Sequence, residues 1–156
     1  MNFDNCPTLH NQPESGVLFF KIMMRLEYAL KAKKLVQPFG EDFKVDWDRF
    51  ANERLGSGFF DFVVQSQEAE TLINESPLKQ IWNGEALEFR PVAPPGNIQE
   101  LIGAVCRVRN NLFHGGKAGQ IQHGRNEALI SEAINVVRLA LERDTEIKML
   151  FETAAA

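Results

Sequence analysis

The chain has 156 residues, a net charge of −4 and two cysteines, and 44% of its residues are apolar. A chain this long buries roughly two-thirds of its unfolded surface and needs no metal or disulfide staple, and its apolar share excludes a disordered protein. The acidic balance excludes a protein that coats nucleic acid through bulk charge, but it leaves room for a small basic site on an acidic body.

Cys6 and Cys106 are too few and too far apart for a disulfide framework or a zinc knuckle. Residues 1–16 are polar and hold no Lys or Arg, so no signal peptide is expected. The most apolar run, 17–24, is broken by Lys21 and falls far short of the ~20 residues of a membrane span. The expected setting is cytoplasmic and reducing, with free thiols and no membrane partner.

No repeat or low-complexity tract divides the chain, so one domain over 1–156 is expected, with an N-terminal extension at 1–13 and a tail at 152–156. The first helix is predicted over 14–36. Phe19, Met23, Leu26 and Leu30 recur at helical spacing, and Lys31, Lys33 and Lys34 suit the negative end of the helix dipole. Pro38 and Gly40 stop it. A short helix over 45–55 ends before Gly56. A second, over 59–74, carries Phe60, Val63, Val64, Leu72 and Ile73, although 59–64 alone also fits a strand. Residues 78–82 are predicted to add a helical turn, and 85–96, with Pro91, Pro94 and Pro95, to form an extended connection.

Asn97 is a candidate N-cap, with Glu100 completing a capping box. The helix that follows places Leu101, Val105, Val108 and Leu112 on its core stripe and ends at Gly115 and Gly116. After a polar loop, a long last helix runs from about 126 to 151 on the stripe Ile130, Ile134, Val137 and Leu141. The expected fold is an all-α bundle with long first and last helices. Trp47, Trp82 and most phenylalanines read as core, some of them free to cover a dimer face.

The charge is unevenly spread. Residues 101–126 hold four of the 17 basic residues (Arg107, Arg109, Lys117 and Arg125) and none of the 21 acidic ones, so the rest of the chain holds 13 basic against 21 acidic residues, a net of −8. The acid-free segment reads either as a focused anion site or as a solvated helix end and loop. Within it runs Arg107-Val108-Arg109-Asn110-Asn111-Leu112-Phe113-His114-Gly115-Gly116-Lys117. Histidine moves protons near neutral pH, and the arginine fork matches a phosphate. A helix C-terminus also favours imidazolium at His114.

At about 100° per residue, Arg107, Asn110 and His114 share a stripe opposite the apolar one, while Arg109 lies about 140° from His114. Arg109 therefore meets His114 only if the helix end loosens, the side chain wraps, or a second subunit supplies the partner. The plain alternative is a histidine that caps carbonyls beside an arginine that snorkels.

Arg109-Asn110 followed by His114 at the fifth position resembles the R-x4-6-H signature of the HEPN superfamily, in a bacterial toxin- or defence-type form. The resemblance implies an HEPN-like helical bundle with the motif on the penultimate long helix. It also implies a metal-independent, cofactor-free endoribonuclease that acts as a homodimer with a composite active site, in toxin–antitoxin or antiphage defence. The implied chemistry is attack of the RNA 2′-hydroxyl on the adjacent phosphorus, leaving a 2′,3′-cyclic phosphate. His114 serves as general acid or base, Arg109 stabilises phosphoryl charge, and Asn110 orients the histidine. Arg107, Lys117 and Arg125 are candidates for RNA phosphates, Arg107 from its place on the stripe alone.

The alternative is a non-catalytic HEPN module that partners an antitoxin, a nucleotidyltransferase or another defence protein. One such system modifies a tyrosine just after the motif histidine. Here Gly115 and Gly116 stand there, and the only tyrosine is Tyr28. A third reading is a helical dimer whose basic segment meets an acidic partner.

His10 and His123 read as surface residues, and Cys106 as a small buried one. No acidic or cysteine ligand accompanies His114 and His123 in their segment, so no metal site is expected there. Glu27 is open between a core-edge pair with an arginine and solvent.

Overall fold

The computed structural model describes residues 3–5, 13–113 and 123–153. His10, His114, Lys117 and the glycines Gly115 and Gly116 lie outside these. The described residues are mostly helical, with one small two-stranded sheet.

After a 3-10 turn at Phe3–Asn5, helix α1 spans Glu14–Ala32 and buries Phe19, Met23, Leu26, Ala29 and Leu30. It ends four residues before the predicted limit, because Lys34 turns into the left-handed region (φ 59°) and Val36 then bridges Val45. Helix α2, Trp47–Arg49, is capped by Asp46, whose carboxylate accepts from the Arg49 N–H at 3.0 Å. It continues as a wider π-helical turn, Phe50–Leu55, that sends Phe50, Ala51 and Leu55 into the core. Gly56 ends that turn at φ 78°, a conformation that glycine alone enters without strain.

The predicted helix over 59–74 is two helices, α3 (Ser57–Ser66) and α4 (Glu70–Asn74), so the strand alternative for 59–64 does not hold. The break falls at Gln67, also left-handed (φ 58°). Polar side chains of the last long helix support this corner. Glu132 accepts from the Leu72 N–H at 2.6 Å, and Asn135 donates to the Glu68 carbonyl at 3.1 Å.

The predicted helical turn at 78–82 is instead strand β1, Lys79–Trp82, and part of the predicted connection is β2, Leu87–Arg90. They pair antiparallel with Trp82 opposite Leu87. Asn83 and Gly84 make the turn. The Asn83 side-chain oxygen accepts from the N–H groups of Glu85 and Ala86 at 2.8 Å each, and Gly84 takes φ 104°.

Helix α5, described over Ile98–Phe113, begins with the predicted cap in altered form. Asn97 accepts from the Glu100 N–H at 2.9 Å, whereas Glu100 reaches back to the Gly96 N–H at 2.7 Å and so passes over the cap residue itself. A cap of this kind contributes about 1 kcal/mol.

The predicted last helix is divided at Asp144 into α6 (His123–Arg143, as described) and α7 (Thr145–Glu152). Residue 152 is thus helical, not part of a tail. Asp144 caps α7 through the Ile147 N–H at 3.1 Å and takes the Arg54 fork at 2.6 and 2.9 Å. Helix α7 folds back along α1.

The buried apolar side chains form one cluster fed by α1, the π-turn, α3, α4, α5, α6 and α7. Phe19, Phe50 and Phe59 are its largest fully buried members. Not every aromatic residue is core. Phe20, Phe39, Phe43, Phe62 and Phe113 are exposed, and so is Trp82 at 67%. Among the described residues no helix is long and apolar enough to cross a membrane.

Candidate functional site

Helix α5 carries three kinds of polar side chain on three flanks. Its apolar stripe, Leu101, Val105 and Val108, is buried as expected, and Leu112 packs against it.

Arg109 leaves the helix beside this stripe and faces α1 and α2. Its Nη1 pairs with the Glu27 carboxylate, and its guanidinium lies 5.8 Å from the Trp47 ring centre. Its other edge donates to the Asn110 side-chain oxygen through Nε at 3.1 Å and Nη2 at 3.0 Å. The carboxylate, the indole face and the amide hold a side chain that would otherwise sample many rotamers. Glu27 therefore takes the ion-pair alternative, and Lys31 stands 3.9 Å from its other oxygen.

Arg107 and Asn110 project from the face opposite the core, as the helical angles require. The hairpin stands over that face. A cavity of about 420 Å³ opens between them, lined by Lys79, Gln80, Trp82, Arg107 and Asn110 among others. Arg107 also lines a smaller neighbouring cavity of about 160 Å³. Its only hydrogen bonds among the described residues are long ones from Nη1, 3.4 Å to the Ser76 hydroxyl and 3.4 Å to the Pro77 carbonyl. Burial with no carboxylate beside it lowers its pKa from the ordinary arginine value.

Arg125 reaches the same loop from α6. It donates to the carbonyls of Glu75 at 2.7 Å and Ser76 at 3.1 Å, and pairs with the Glu75 carboxylate at 3.2 Å. Asn111, buried, adds a bond from its amide to the Leu78 carbonyl at 2.9 Å. Loop 75–78, which leads into the hairpin, is thus held by three side chains of the acid-free segment.

The structure therefore brings Arg109 together with Asn110, and Arg107 with Asn110 at the cavity. It sets Arg125 to work on loop 75–78. His114 and Lys117 lie outside the described residues. Of the hairpin side chains at the cavity, Lys79 and Gln80 carry no expectation from the sequence, and Trp82, expected in the core, is exposed at 67% instead. Their signal was Asn83-Gly84 between two four-residue runs, a turn pair that favours a hairpin. Among the described residues no group of three or more His, Cys, Asp or Glu side chains is placed to hold a metal ion.

Cys106 lines the same cavity, but burial pushes its thiol up to about 12, against the weaker opposing pull of Arg109. At pH 8 it is a thiol, not a thiolate. In a Cys6→Ser background, iodoacetamide should label the native protein orders of magnitude more slowly than the urea-unfolded protein. Equal rates, followed by mass spectrometry, would show Cys106 to be an accessible thiol of ordinary reactivity, and a faster native rate would show it to be activated.

The chain matches no protein-family model, no curated protein sequence and no solved structure.

Proposed function

We propose that this chain is a metal-independent endoribonuclease of the HEPN type. The observation that carries this reading is the Arg109–Asn110 pair, fixed side by side near the C-terminal part of α5 and followed in sequence by His114. Three of the five Arg109 N–H donors are used within the described residues, which leaves two for a phosphoryl oxygen. The RNA 2′-hydroxyl attacks the adjacent phosphorus, and the 5′-oxygen leaves. His114 moves the proton, and Arg109 meets the charge that develops on the phosphoryl oxygens. Asn110 holds Arg109 through its oxygen and keeps its amide N–H groups for the histidine or the substrate.

The active form is a homodimer with a site shared between copies. An exposed apolar strip supports this. Val17, Phe20, Met24 and Tyr28 run along α1, and Phe113, 70% exposed at the end of the described part of α5, stacks on Phe20 at 6.1 Å and 13°. Contiguous apolar surface of this kind marks an interaction face, and it adjoins the helix that carries Arg109. The activity serves toxin–antitoxin or antiphage defence.

Purified protein should cleave labelled RNA in EDTA to fragments ending in 2′,3′-cyclic phosphate and 5′-hydroxyl. A single 2′-deoxy substitution at a cut position should block that cut alone. Cleavage that EDTA abolishes, or that spares no deoxy position, would overturn the reading.

A further inference from the structure

The cavity between the hairpin and α5 has three features that its packing does not explain. The first is Arg107, a half-buried cation that enters none of the ion pairs among the described residues. The second is Gln80, a residue of the cavity wall whose side-chain Nε2 is buried with no hydrogen-bond partner among the described residues. A buried donor left unpaired destabilises the fold. The third is Gly103 in the middle of α5. Glycine there is a poorer helix former than alanine, and the usual reason for accepting it is a close neighbour. Gly103 has none, since a methyl group placed on it would meet nothing within 4 Å. What its missing side chain leaves open is the floor shared by the two cavities.

The walls indicate what fits. Trp82 is an exposed indole at the rim, next to Leu87, and Ile81 and Cys106 add apolar wall. An exposed indole is a stacking platform for a nucleobase. A turn of the Gln80 side chain into the cavity brings its unpartnered donor to an acceptor on the base edge, as single-strand recognition uses. The Arg107 fork suits a phosphate, and Lys79, exposed at the mouth, adds a second positive charge. A volume of about 420 Å³ lies within the ~300–1,000 Å³ of small-molecule sites. A bare anion would use the arginine and leave the indole and the amide idle.

We infer that this cavity is a nucleotide-binding subsite, with the phosphate on Arg107 and Lys79, the base against Trp82 and its acceptor edge toward Gln80. The inference rests on the ribonuclease reading in one respect, that the nucleotide belongs to the RNA strand being cut. The same chemistry would also hold a free mononucleotide.

The test uses the full chain, two probes, AMP and a fully 2′-O-methylated RNA tetramer that cannot be cleaved by 2′-hydroxyl attack, and ribose 5-phosphate as a control without a base. The chain has two tryptophans, and the indole N–H resonance absent from Trp82→Phe reports on the rim. That resonance should move on titration, with Kd at least tenfold weaker in Arg107→Met and in Gln80→Leu. Gly103→Leu should be at least as stable to heat as the wild type, because it replaces a mid-helix glycine in open space, yet it should lose binding. Tighter binding of the tetramer assigns the subsite to an RNA strand, and equal binding of AMP assigns it to a free nucleotide. No movement with either probe overturns the subsite, as does binding that survives Gly103→Leu or equal affinity for ribose 5-phosphate. RNA cleavage by the wild type with no movement of the Trp82 resonance would remove the subsite and leave the nuclease. Binding at Trp82 with no RNA ever cut would remove the nuclease and leave the nucleotide site.

Discussion

Arg109→Ala should slow RNA cleavage about 10²- to 10³-fold, the cost of one preorganised charge-stabilising donor set, and should leave the fold intact. Its ion pair with Glu27 is part-exposed, and Glu27 keeps Lys31 at 3.9 Å, so the loss of stability should stay below about 1 kcal/mol. Arg109→Lys should fare little better in activity. One residue here spans a carboxylate, an indole face and an amide oxygen with a planar fork, and a lysine ammonium cannot satisfy all three at once. His114→Ala should fall by about 10²- to 10⁴-fold, the range for a general acid or base. The measurement is single-turnover cleavage beside thermal unfolding of each variant. Wild-type cleavage by Arg109→Ala would remove it from the site, and a parallel collapse of stability would reassign it to structure.

The largest change in stability is expected at Asp144. Its side chain is 5% exposed, caps α7, and takes both bonds of the Arg54 fork, while Arg54 also reaches Glu146 at 2.8 Å. Asp144→Ala removes the cap and leaves Arg54 without its buried partner, at a cost of about 3 kcal/mol. The pH dependence has a definite sign. Burial pushes the Asp144 carboxyl up, but Arg54 and the Ile147 N–H together outweigh it and hold the pKa below the usual aspartate value. A carboxyl with a depressed folded pKa stabilises the fold fully above its unfolded pKa, and the contribution is lost as pH falls through the folded one. Denaturant unfolding of the wild type should therefore weaken from about pH 4 downward. In Asp144→Asn that part of the slope should be absent. An unchanged slope would place the acid sensitivity elsewhere.

The helices were legible where apolar spacing was long and regular. Phe19, Met23, Leu26 and Leu30 on α1 are all buried, and so are Leu101, Val105 and Val108 on α5. The cap at Asn97 could also be read, because one side chain three residues from another is local information. Short elements were not legible in the same way. Four-residue strands give too few periods to distinguish from a helical turn, and only Asn83-Gly84 marked the hairpin. The division at Asp144 was hidden because the apolar stripe continues on both sides of it, and its cause, Arg54, lies 90 positions away.

The charge map shows the same limit. The acid-free run reads in sequence as either a focused anion site or a solvated helix end and loop, yet Glu27 and Glu75 come from other elements to pair with Arg109 and Arg125. Arg107 alone among the described arginines of that run has no acidic partner, and nothing in the linear sequence separates it from the other two.

Arg25, on α1, donates from Nε to the Phe151 carbonyl at 3.1 Å and from Nη2 to the Leu150 and Phe151 carbonyls at 3.1 and 3.0 Å, and it also bonds Thr153. A cation thus closes the carbonyl end of α7 from across the chain. Helix α1 is therefore made well before the segment that completes it. The apolar face of α1 waits for α6 and α7, and its clasp at Arg25 cannot shut until residue 153 has emerged. For a mostly helical chain, whose contacts are usually local and fast to form, this makes the packing of α1 depend on a segment 126 positions downstream and leaves its apolar face in need of shelter until that segment arrives.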